Sequence, residues 1–137
     1  MVKSITEKCS AKINIAIDVL GKYPNDYHEV RMIMTQVGIF DVITISLKDE
    51  KGIEIAGSDI NMPVDESNLA WKAANEFFKA IKFDGGCDIY IEKHIPMGAG
   101  MAGGSSDAAG VINGLNKLFD SPLSLEERMK MGKKLGA

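Results

Sequence analysis

At 137 residues, 45% of them hydrophobic and 26% charged, the chain has the length and balance of one globular domain with a buried core. A net charge of -3 without a Lys/Arg block excludes the clustered positive surface that nucleic-acid binding requires, and no apolar run is long enough to span a bilayer. Cys9, Cys87, His28 and His94 are too dispersed for a metal cluster, so the cysteines are expected reduced and packed; the N-terminus lacks an apolar leader, which predicts a cytoplasmic location.

Residues 12–19 alternate, with Ile13, Ile15, Ile17 and Val19 opposite Lys12, Asn14 and Asp18, and predict a strand with one wet face. Turn residues predict a loop over 21–26. Strands are expected over 30–37 and 42–47, then a turn at 48–52 into a short strand over 53–56. Ser67 reads as an N-cap, and Leu69, Ala73, Ala74, Phe77 and Ile81 recur at helical spacing until Asp84-Gly85-Gly86 ends the unit. Trp71 on this helix is assigned to packing. Cys87, Ile89 and Ile91 alternate with Asp88, Tyr90 and Glu92, a further strand. A glycine-rich segment follows, then a helix to about Phe119 and a last helix opened by Ser124 and Glu127 at capping-box spacing. Gly136 reads as a helix C-cap leading onward, so the end of the chain is expected to be a boundary inside a larger fold.

The strongest signal is Pro96, Met97, Gly98, Ala99, Gly100, Met101, Ala102, Gly103, Gly104, Ser105 and Ser106, followed by Asp107-Ala108-Ala109-Gly110. Four glycines within seven residues give up packing and add backbone entropy, which suits a segment whose bare N–H groups must approach a large anion. Ser105 and Ser106 fall at the expected helix start, where unpaired N–H groups and the positive dipole end favour phosphate, and their hydroxyls can donate to phosphate oxygens or ligate a cation. A plain glycine hinge is the bland alternative. No Gly-Lys-Ser/Thr follows, so this is not a Walker A loop. Gly98, Gly100 and Gly103 satisfy G-x-G-x-x-G, but the strand and acid that a dinucleotide fold needs next are replaced by Asp120-Ser121-Pro122. A protein-kinase glycine loop needs a hairpin where Ala108-Ala109 reads as helix.

The run from Pro96 to Ala109 resembles the phosphate-binding motif of the GHMP kinases. Ala11-Lys12-Ile13-Asn14, Leu20-Gly21-Lys22, Tyr27-His28-Glu29-Val30, Ser67-Asn68-Leu69 and Ile91-Glu92-Lys93-His94-Ile95-Pro96 are similar, in order and spacing, to the branch that phosphorylates 4-diphosphocytidyl-2-C-methyl-D-erythritol. The likeness runs from about Cys9 to Ala137. It implies an α+β fold, the two-layer N-terminal domain of that family, with a mixed sheet and helices on one face. It also implies transfer of the γ-phosphoryl of ATP, with Mg2+, to the 2-hydroxyl of a cytidine-diphosphate-linked methylerythritol in the non-mevalonate route to isoprenoids. By the same resemblance Lys12 is the catalytic lysine, and Asn14, Tyr27 and His28 belong to the substrate pocket. Asn68 and Leu69 border the adenine, residues 96–106 wrap the phosphates, and Ser106 is a candidate Mg2+ ligand. The expected partner is this small-molecule substrate, with neither nucleic acid nor membrane. Without the resemblance, Lys12 reads as a solvated strand lysine and His28 as a loop histidine.

Two departures qualify the likeness. Asn25-Asp26 stands where the family has Asp-Gly before Tyr-His. The family's general-base aspartate follows a Gly-Ala pair and would fall beyond Gly136-Ala137. The 137-residue chain is therefore expected to be inactive alone, and to self-associate through a face that a second domain would cover. The alternative reading is a non-catalytic nucleotide- or dinucleotide-binding module.

Overall fold

The computed structural model describes residues 3–22, 28–95 and 103–135. Strands β1 (Ser4–Lys22) and β2 (His28–Lys48) form a long antiparallel pair, from Ser4 opposite Ser46 to Lys22 opposite His28. The sequence suggested shorter pieces, because the hydrophobic alternation breaks where the register does. Shifts at Ser10/Lys12, Asn14/Ala16 and Val19/Lys22 change the side-chain phase while the ladder continues through them. The expected strands over 30–37 and 42–47 are thus one strand, and the 12–19 strand is the middle of β1.

Strand β4 (Gly86–Glu92) lies antiparallel to β2, and β3 (Gly52–Gly57) lies parallel to β4, giving the order β1-β2-β4-β3. A parallel neighbour needs a crossover, supplied by helix α1 (Leu69–Ile81). Where β3 begins, the chain crosses so close to Gly86 that a Cβ there would lie 2.0 Å from the Gly52 carbonyl oxygen; only glycine fits. Helices α2 (Gly103–Leu118) and α3 (Leu125–Lys134) complete the chain.

The core lies between one sheet face and the helices. Ile43, Ile45, Cys87, Ile89 and Ile91 alternate inward from β2 and β4, and meet Ala73, Ala74 and Phe77 of α1 and Val111, Ile112 and Leu115 of α2. The intervening Asp88 and Tyr90 are exposed on the far face. This is the mixed-sheet α+β arrangement anticipated. Both cysteines are free and buried, and the Trp71 indole N–H donates to the Ile53 carbonyl at 3.0 Å, a packing role. Among the described residues no helix is long and apolar enough to cross a membrane.

Helix ends follow local chemistry. The N-cap of α1 is Asn68 rather than Ser67: its side chain accepts from the Ala70 N–H, whereas the Ser67 hydroxyl donates to Asp65. Ser124 and Glu127 form the expected capping box on α3. The C-cap expected at Gly136 lies outside the described residues.

Candidate nucleotide site

Helix α2 begins at Gly103, so Ser105 and Ser106 sit in its first turn, at the helix start as expected. No acidic side chain occupies that turn, which leaves the positive end of the helix dipole unopposed. Gly104 is exposed, and among the described residues a Cβ built on it would meet the Leu69 Cδ1, at 3.6 Å. The segment expected to border adenine and the segment expected to hold phosphate therefore converge, from the starts of α1 and α2. Both halves of the Asn68 amide are engaged: Oδ1 accepts from Ala70 N–H at 2.9 Å, and Nδ2 donates to the Pro63 carbonyl at 2.7 Å. Asn68 thus shapes this corner through the backbone it fixes.

The Ser106 hydroxyl donates to the Ser10 carbonyl at 2.9 Å and docks the first turn of α2 on β1. That contact falls at the register shift between Ser10 and Lys12. Lys12 stands two residues on, about 7 Å along the strand, opposite Gln36; Asn14 stands opposite Met34 in the same unbroken register. Backbone topology thus brings the strand segment carrying Lys12 and Asn14 to the same end of the sheet as the start of α2. His28 opens β2 opposite Lys22. The side chains of Lys12, Asn14 and His28, and residues Tyr27, Pro96, Met97, Gly98, Ala99, Gly100, Met101 and Ala102, lie outside the described parts.

Three charged residues that sequence reasoning passed over are buried beside this corner. Asp41 is fully buried on β2, and one of its oxygens accepts from the His94 and Ile95 N–H groups at 2.7 and 2.9 Å. Its other oxygen accepts from the Lys93 ammonium at 2.8 Å, and the same ammonium reaches Asp107 at 3.2 Å. A signal was present: Asp41 shares the inward phase of Ile43 and Ile45, Lys93 that of Ile89 and Ile91, and Asp107 the core stripe of Val111 and Leu115. A charge in a core phase marks a buried ionic group.

Two carboxylates around one ammonium leave an excess negative charge, and a retained proton removes it. Burial, then the neighbouring Asp41, push Asp107 up to about 8, with Lys93 pulling the other way. Burial also opposes the charge on Asp41, but hydrogen bonds from Asp107, the Ile95 and His94 amides and Lys93 outweigh it and hold that carboxyl below its ordinary range. Lys93 is likewise raised, its two carboxylate partners overcoming desolvation. Near neutral pH the cluster is therefore an ionised Asp41–Lys93 pair beside a protonated Asp107.

A folded-state pKa near 8 against an unfolded value near 4 means that the folded chain binds the extra proton between those limits. Stability on this account is greatest at the acid end and falls as pH rises, by at most about 1.4 kcal/mol per pH unit for one proton. Asp107→Asn cannot ionise. Its urea midpoint, relative to wild type, should rise between about pH 5 and about pH 8; parallel pH profiles would assign the slope elsewhere.

Among the described residues no group of three His, Cys, Asp or Glu side chains is placed to hold a metal. The Ser106 hydroxyl hydrogen is committed to Ser10, which leaves only oxygen lone pairs for a cation. Burial raises the Cys9 and Cys87 thiols to about 12, removing them as nucleophiles. An open cleft of about 500 Å³ runs along α1, lined by Trp71, Asn75, Lys79 and Lys82, and its lining includes no expected site residue. Among the described residues α2 leads into α3, where a dinucleotide fold has a parallel strand.

With this geometry in place, the similarities to known proteins are informative. Residues 68–137 match the family model described as the GHMP kinases N terminal domain. A 4-diphosphocytidyl-2-C-methyl-D-erythritol kinase of Lachnoclostridium phytofermentans is 47% identical over 133 residues, 97% of this chain and 46% of the relative. The kinase of the same name from Geobacter metallireducens is 43% identical over 136 residues, 99% of this chain and 48% of the relative. The chain thus spans about half the length of the curated relatives it matches. A crystal structure of 4-(cytidine 5'-diphospho)-2C-methyl-D-erythritol kinase superposes with a TM-score of 0.75 at 31% identity, over 97% of this chain and 46% of that one. A homoserine kinase from Cytophaga hutchinsonii, with a TM-score of 0.77 at 16% identity over 96% of this chain and 40% of that one, shares the fold. The family match falls on the half of the chain that carries the start of α1, the glycine-rich segment and α2, and the chain belongs to the GHMP kinase family, as its N-terminal portion.

Proposed function

We propose that this chain is the ATP-binding portion of a cytoplasmic kinase that transfers the γ-phosphoryl of ATP to the 2-hydroxyl of 4-diphosphocytidyl-2-C-methyl-D-erythritol, in non-mevalonate isoprenoid precursor synthesis. The observation that carries this reading is the convergence of Gly104 with Leu69, and of Ser106 with Ser10, at an α2 N-terminus free of acidic side chains.

Phosphoryl transfer asks a protein mainly for alignment and for positive charge around the moving group. The first-turn amides of α2, with residues 96–102, receive the polyphosphate, and Leu69 packs at the nucleoside side. Lys12 supplies the cation near the transferred group from β1. Asn14, Tyr27 and His28 hold the cytidine-diphosphate end of the acceptor, Tyr27 with an aromatic face for a base. Ser106, through its oxygen lone pairs, would be a ligand for Mg2+ bound with ATP, which would supply further charge neutralisation on the phosphate oxygens.

Calorimetric titration of the protein with ATP, with NAD and with the methylerythritol substrate tests this reading. ATP binding by this chain that NAD does not compete is expected, together with ATP-dependent phosphorylation of that acceptor by the longer kinase of which it is the ATP-binding portion. Tighter binding of NAD than ATP would favour the dinucleotide module. Turnover on a different alcohol alone would retain the kinase and discard the acceptor.

A further inference from the structure

We propose that Asp41, Lys93 and Asp107 are positioning residues: a buried ionic clamp that holds the two stems of the glycine-rich segment at the separation a polyphosphate requires. The inference rests on the nucleotide reading above and adds to it a device that the glycine motif does not itself contain.

The geometry points to both stems at once. Lys93, His94 and Ile95 lead into the glycine-rich segment; Gly103 through Asp107 lead out of it. Asp41 receives three donors of the incoming stem, namely the His94 and Ile95 amides and the Lys93 ammonium. Lys93 then reaches across 14 positions of sequence to Asp107, in the helix whose first turn forms the outgoing stem. The incoming stem is held from its other side too, because the Lys93 N–H donates to the Ser58 hydroxyl at 2.8 Å, just beyond β3. Fixing chain around an anion costs backbone entropy, most of all at glycine, and stems already held in place remove part of that cost beforehand.

Two features argue that the cluster does more than fill the core. Apolar residues at 41 and 93 would extend the rows of Ile43, Ile45, Ile89 and Ile91, and buried ion pairs are commonly no more stabilising than such replacements. An apolar side chain at 41, however, could not take the two stem amides. Nor is Lys93 a phosphate ligand: its side chain is 6% exposed and its ammonium is spent on the Asp41 and Asp107 carboxyl groups.

The test compares ATP with adenosine, which lacks the polyphosphate. Lys93→Met removes the cation at similar volume. Asp107→Ala cuts only the link to α2, and Asp107→Asn keeps hydrogen-bonding groups at that position. Lys93→Met and Asp107→Ala should each weaken ATP binding about 10-fold or more while changing adenosine binding less than about two-fold, with Asp107→Asn within about three-fold of wild type. Amide exchange at His94 and Ile95 should quicken in Lys93→Met. If Lys93→Met does not fold, Asp107→Ala decides. A folded Asp107→Ala with wild-type ATP affinity overturns the clamp, and so does equal loss of ATP and adenosine, which marks a structural role only. Absence of ATP binding by the wild-type protein is a separate result, seen in the first titration, and removes the nucleotide reading together with what rests on it.

Discussion

Asp41→Ala is expected to destabilise the fold by about 3–5 kcal/mol, the cost of breaking a buried ion pair from one side. The substitution leaves the Lys93 ammonium buried, with Asp107 as its remaining carboxyl partner. Asp107 is protonated near neutral pH while Asp41 is charged; losing Asp41 drives it to ionise, so part of the penalty is recovered as a lowered Asp107 pKa. The His94 and Ile95 amides have no such recourse. Each loses its acceptor, the Ile95 amide in a buried setting at about 1–3 kcal/mol and the His94 amide in a part-buried one at less. Asp41→Asn keeps a carbonyl oxygen for those amides and loses only the charge, so it should fall between Asp41→Ala and wild type. Urea unfolding of the three proteins at neutral pH gives the order. An Asp41→Ala penalty below about 1 kcal/mol would mean that water replaces the carboxylate, and the cluster would then not be a closed ionic core.

How far the sequence anticipated this depends on what each signal measured. Strand and helix identities followed from period: Cys87, Ile89 and Ile91 alternate in the sequence as they do in β4, and the Ser124–Glu127 spacing is the capping box found on α3. Strand lengths in the first half did not follow, because period two survives a bulge only on one side of it; the shift at Ser10/Lys12 divided one β2 into two expected pieces. Asn68 displaced Ser67 as the N-cap because a cap is chosen by backbone angle, and the Ser67 hydroxyl was drawn to Asp65. At the site, the glycine-rich segment and the Ser-Ser pair were legible from composition, and so was the pair's place at the start of a helix. The Asp41–Lys93–Asp107 cluster was harder to see, since its members come from β2, the exit of β4 and α2, and nothing local pairs them. Each stands in the sequence as a polar residue in an apolar row, and three such exceptions on elements that pack together are the trace a buried network leaves.

Gly110→Ala is expected to destabilise the chain by about 1–3 kcal/mol, although alanine is the better helix former by nearly 1 kcal/mol. The reason is the approach of α2 to β1. A Cβ at position 110 would sit 2.2 Å from the Cys9 sulfur, with the Ile43 Cδ1 next at 3.6 Å. Cys9 is 3% exposed and its thiol stays protonated, its pKa raised to about 12 by burial first and by the nearby carboxylates, so the obstacle is one of packing, not charge. A short buried side chain has little room to swing aside, and α2 must lift from the strand. That displacement opposes the Ser106–Ser10 hydrogen bond one turn earlier, so ATP affinity should fall with stability. Cys9→Ala separates this from a general intolerance of α2. It removes the sulfur and leaves the Cys9 Cβ 3.8 Å from the new methyl, an ordinary contact. Alone, Cys9→Ala opens a small void and should cost about 1 kcal/mol. Combined with Gly110→Ala it should restore most of the lost stability and the nucleotide affinity, a favourable coupling of about 1–2 kcal/mol in a double-mutant cycle. Additive losses, or a Gly110→Ala protein more stable than wild type, would show that α2 is not seated on Cys9 as closely as the structure places it, and the route by which β1 fixes the first turn of α2 would have to run through Ser106 alone.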